Sequence, residues 1–91
     1  METIEIMLRN AGIDWSASVS DTATLRRVNK LMRARDESNL WPISGSFSAT
    51  ERAIRFYRRV VFPANGPCSA LEYALGIDGL ISGYVNDPRN F

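Results

Sequence analysis

The chain has 91 residues, no histidine, one cysteine and a formal net charge of +1, with 45% hydrophobic residues. That describes one small domain, 1–91, with enough apolar side chains for a packed core. A lone Cys68 and no histidine exclude a Cys/His zinc site, a Ser-His or Cys-His nucleophile and an internal disulfide. No apolar run approaches the roughly 18–20 residues of a membrane span. The opening METIEIMLRN carries acids rather than a basic leader, so no secretory signal and a cytoplasmic setting are expected.

The first predicted element is a short helix from Thr3 to Ala11. Ile4, Met7, Leu8 and Ala11 recur at helical spacing, Glu2 and Glu5 suit its start, and Gly12 supplies the stop. Ile13-Asp14-Trp15 is expected to fold back onto the core, before a polar loop over Ser16 to Ser20. A second helix is capped by Ser20 or Asp21 and runs to about Arg35. Leu25, Val28, Leu31, Met32 and Arg35 mark its inward stripe. Arg26, Lys30 and Arg33 mark an outer one, flanked by Arg27. Asp36 and Glu37 oppose a helix C-terminus, so they are expected to begin the next loop.

Leu40-Trp41-Pro42-Ile43 is an apolar loop segment. Trp41 either covers the core or anchors a partner. Ser44-Gly45-Ser46 joins it to the best-formed helix in the sequence, Ser48 to Phe62. Ser48 and Glu51 are spaced as a capping box, and Phe47 precedes the cap. Ala53, Ile54, Phe56, Tyr57, Val60 and Val61 form a wide apolar stripe, while Arg52, Arg55, Arg58 and Arg59 occupy the opposite side. Pro63 is expected to end this helix. Two short helices then follow, one capped by Ser69 and broken at Gly76, the other capped by Asp78 and ended near Asn86-Asp87-Pro88.

The near-zero net charge hides a segregation. Residues 25–59 hold nine basic and three acidic side chains, or +6. Residues 1–24 stand at −3 and residues 60–91 at −2. A basic centre between acidic ends is the most informative charge feature of the chain.

Other chemistry finds little support. Lys30 is the only lysine, so any Ser-Lys or Schiff-base site would rest on it, within an arginine-rich helix. Neither a G-x-x-x-x-G-K-S/T nor a G-x-G-x-x-G run occurs. Asp36, Glu37 and Asn39 lack the glycine and bidentate glutamate of an EF-hand loop. The closest acidic pairs have no cleft to span in so short a chain. No enzyme activity, metal or cofactor is expected.

Leu71 to Arg89 resembles the helix-turn-helix of small bacterial and phage repressors. Ala74-Leu75-Gly76-Ile77 looks like its turn, and Ile81-Ser82-Gly83-Tyr84-Val85-Asn86-Asp87-Pro88 like its recognition helix and exit. The resemblance covers about a fifth of the chain and implies a DNA-binding regulator. The expected reading helix has no cation before Arg89, whereas base readout uses Arg, Lys, Asn or Gln.

The sequence therefore predicts one all-α domain of four or five helices with a C-terminal helix-turn-helix-like hairpin. Its expected function is non-enzymatic binding. Arg26, Arg27, Lys30, Arg33, Arg52, Arg55, Arg58 and Arg59 would meet nucleic-acid phosphates. The alternative is a phage-type inhibitor or adaptor that docks the same arginines, or the Trp41 loop, on an acidic protein. Self-association as a homodimer is also compatible with so small a core.

Overall fold

Thr3 opens the first helix as its cap: its hydroxyl accepts the Ile6 N–H at 3.2 Å. A computed structural model describes residues 3–37 and 48–86 of the chain. Helix α1 spans Ile4–Asn10. Gly12 terminates it at φ 72°, where the Gly12 N–H reaches the Arg9 carbonyl and the Ile13 N–H reaches that of Leu8. This is the glycine-closed end expected of the sequence, since only glycine enters that region without a Cβ penalty.

Residues 13–19 lie along the start of the last helix, α5, which spans Ala70–Val85. The Ala17 and Trp15 carbonyls accept the Ala70 and Leu71 N–H groups at 2.8 and 2.9 Å, and the Ser69 hydroxyl accepts that of Glu72 at 3.2 Å. Three donors that a helix start leaves unpaired are thereby satisfied. Ile13 and Val19 enter the core from this segment, while Trp15 stays exposed.

Helix α2 spans Thr22–Glu37. The Asp21 carboxylate accepts from the Ala23 N–H and the Thr24 hydroxyl. The backbone stays helical through Asp36 and Glu37, where a loop was expected. Acids in a last turn cost only about 0.3–1 kcal/mol, which does not outweigh helix continuation.

The central helix is capped by Ser48, whose hydroxyl accepts the Glu51 N–H at 3.2 Å. Only half of the capping box forms, because the Glu51 carboxylate pairs with Arg33 instead. α3 spans Ala49–Phe56, a π-helical segment spans Tyr57–Val61, and α4 spans Phe62–Asn65. The chain thus stays helical through Pro63, contrary to the expected stop. In a regular helix the proline ring would strike the Arg59 carbonyl and leave it without a donor. The wider turn, in which the Phe62 N–H reaches the Tyr57 carbonyl five residues back, accommodates both problems. Phe56 and Val60, expected on the apolar stripe, are exposed.

The expected break at Gly76 is absent. Residues 70–85 are continuous helix, so no turn separates two C-terminal helices there. Gly76 is instead the point where Tyr57 lies against α5. Glycine in a helix costs only about 1 kcal/mol relative to alanine, and packing overrides it. The stretch that resembled a helix-turn-helix turn therefore has no bend in this fold.

The protein is all-α, and α5 is its hub, touching α1, α2 and α3. Ala53, Ala70 and Ala74 are fully buried and allow close helix approach, while Leu8, Val28, Met32, Ile54 and Ile77 fill the space between. Tyr57, Phe62 and Tyr73 form an aromatic cluster with ring centroids 5.0–5.7 Å apart. Leu40 to Phe47, with the Trp41 loop, and the chain beyond Asn86 lie outside the described residues.

Candidate functional site

Asn29 sits on the inward side of α2, four residues after Leu25 and three before Met32. It is buried, and its side-chain oxygen accepts a hydrogen bond from the Tyr73 hydroxyl of α5. Burial raises the Tyr73 pKa well above its ordinary value. The positive charges of Arg33 and Arg58 act in the opposite direction. Arg33 belongs to α2 and Arg58 to the π segment, so cations from two different helices act on one tyrosine.

Arg33 also pairs with Glu51 at the start of α3. Arg26, Lys30 and Arg33 stand at i, i+4 and i+7, which places them on one stripe of α2. That stripe runs beside α3. Arg55, Arg58 and Arg59 line an open cleft of about 270 Å³ on the α3 and π segments. The Arg33–Glu51 pair thus ties the stripe of Arg26, Lys30 and Arg33 to the helical stretch that carries Arg55, Arg58 and Arg59. Among the described residues, no carboxylate pairs with Arg26, Lys30, Arg58 or Arg59.

Two of the predicted arginines lie elsewhere. One Arg27 guanidinium nitrogen donates to the Ala11 and Gly12 carbonyls at 2.9 and 3.3 Å, closing the end of α1. The Arg52 guanidinium lies 5.2 Å from the centre of the Tyr84 ring, on the α5 side of the central helix. Arg35, predicted at the inner edge of α2, pairs with Asp78. Asn29, Tyr73 and Glu51 were not among the predicted site residues. A polar residue on an otherwise apolar stripe was the available signal for Asn29. No local pattern reveals that Glu51 would turn to another helix.

No protein-family model, curated protein or solved structure matches the chain. The chemistry of the site is therefore read from its own groups.

Guanidiniums are fixed cations with forked donors that match phosphate or carboxylate oxygens. Three other titratable groups are shifted by their surroundings. Burial, and then the charge of Glu72, push the Cys68 thiol up, which disfavours the nucleophilic thiolate. Burial also raises Tyr57. Asp14 is lowered by hydrogen bonds from the Ser16 side chain and backbone, as in a local turn. Among the described residues, no group of three or more Cys, Asp or Glu side chains could hold a metal. No helix there is long and apolar enough to cross a membrane.

Proposed function

We propose that the chain is a non-enzymatic nucleic-acid-binding protein, of regulatory type, that grips the phosphate backbone through the α2–α3 face. The observation that supports this is the Arg33–Glu51 ion pair, which ties the basic stripe of α2 to the start of the helical stretch whose Arg55, Arg58 and Arg59 line one cleft. Six cations against Glu51 leave five net positive charges on that face. Fixed cations of this kind hold phosphates and orient a protein on its nucleic acid without reading sequence.

Anisotropy with a labelled duplex and a labelled single strand tests the reading. Each neutralised phosphate contributes about −0.9 to the logarithmic salt slope on duplex. A slope of about −4 to −5 is expected, and absence of binding to either strand form at low salt would refute the proposal.

A second reading is an inhibitor or adaptor for an acidic protein. Phe56 and Val60 favour it, being exposed apolar side chains on the same helical stretch as the arginines. Arginine beside aromatic residues suits a protein anchor. Binding to an acidic protein surface with no measurable affinity for either strand form would favour this reading.

A further inference from the structure

The π segment does more than admit Pro63. Arg55, Arg58 and Arg59 stand at i, i+3 and i+4, which are the positions that face one another on a helix surface. Their side chains surround the open cleft of about 270 Å³. Water occupies about 30 Å³ per molecule, so the cleft has room for a phosphate group and part of its hydration shell. Like charges at this spacing repel. No carboxylate among the described residues pairs with Arg58 or Arg59 to offset that repulsion. Arg55 has a partner of its own. π turns of this kind recur at functional sites.

We infer that the Arg55–Arg58–Arg59 cleft is a discrete oxyanion pocket that takes one phosphate group, with Arg58 and Arg59 supplying its principal donors. A phosphate there would accept forked hydrogen bonds and relieve the repulsion between the guanidiniums. The inference deepens the polyanion reading of the same face. It differs in requiring a local, saturable site rather than a diffuse field.

The test is a titration of the full chain with inorganic phosphate, matched against chloride at equal ionic strength. Arginine Nε–H and backbone amide resonances over residues 55–61 are followed by NMR. Saturable shifts with phosphate, and none with chloride, are expected. The R58Q/R59Q double variant should weaken phosphate binding by roughly tenfold or more, as expected when hydrogen bonds to a charged group are removed. R26Q/K30Q removes the same charge from the α2 side of the face and should leave phosphate binding nearly unchanged.

Equal shifts with chloride, shifts that never saturate, or equal loss in the two double variants would overturn the pocket. The wild-type comparison decides even if a variant fails to fold. Duplex binding by the same proteins separates the phosphate sources. Loss of both affinities in R58Q/R59Q assigns the pocket to a backbone phosphate, and loss of phosphate affinity alone to a free phosphate or phosphomonoester. Duplex binding with a steep salt slope but no saturable phosphate site would sink the pocket and leave the broader face intact. A saturable phosphate site without duplex binding would do the reverse.

Discussion

The Tyr57 hydroxyl occupies the space beside Gly76: a methyl group there would lie 1.6 Å from its oxygen and 2.7 Å from ring carbon Cζ. The glycine is therefore needed for close approach, although it sits inside a helix. Gly76→Ala gains up to about 1 kcal/mol of helix propensity. Overpacking against a half-buried ring costs about 1–3 kcal/mol. We expect net destabilisation in urea unfolding. Tyr57→Phe in the same background should recover only part of the stability, because the ring carbon still clashes.

Gly79 and Gly83 present the opposite case on the same helix. An added methyl group at either meets nothing within 4 Å. Replacing each with alanine should stabilise the protein by about 0.5–1 kcal/mol through helix propensity alone. A higher urea midpoint with an unchanged m-value would bear this out, and destabilisation would show that the outer surface of α5 is covered.

Tyr73→Phe removes the hydroxyl that donates to buried Asn29. Leaving that amide oxygen unpaired should cost about 1–3 kcal/mol. The substitution also changes the response to alkali. Burial holds the Tyr73 pKa above its ordinary value of 10.0, so the unfolded chain releases this proton first as pH rises. Its contribution is fully present below about pH 10 and is lost as pH climbs through the folded pKa. Unfolding free energies from pH 8 to 11 should fall less steeply in Tyr73→Phe. Some slope remains, because Tyr57 is raised in the same direction.

Arg27 and Arg52 test whether position or total charge decides polyanion binding. Both lie off the α2–α3 face, one against the end of α1 and the other over Tyr84. Arg27→Ala/Arg52→Ala should leave the salt slope for duplex binding nearly unchanged. Arg58→Ala/Arg59→Ala should reduce its magnitude by up to about 2, or about 0.9 for each phosphate that is no longer neutralised. Equal effects in anisotropy would mean that net charge alone controls affinity.

Much of the fold was legible because its signals are local. Thr3, Asp21, Ser48 and Ser69 each accept from groups two or three residues ahead, and Gly12 closes α1 within its own turn. Such interactions depend on spacing, and spacing is present in the sequence. The apolar periods of α1 and α2 likewise fixed their inward sides. The same logic located the basic residues but could not say which of them share a face.

An all-α domain, its caps, its inward stripes and its basic centre follow from residue order alone. The rest came from contacts between residues far apart in the chain. Tyr57 packs against Gly76, where α5 continues although local propensity suggested a break. The π turn carried the central helix past Pro63. Arg33 drew Glu51 out of its capping box, and the Tyr73 hydroxyl found buried Asn29. Arg27 was taken by the end of α1 and Arg52 by Tyr84. Local propensities amount to about 1 kcal/mol per residue, so packing across the core can reverse them.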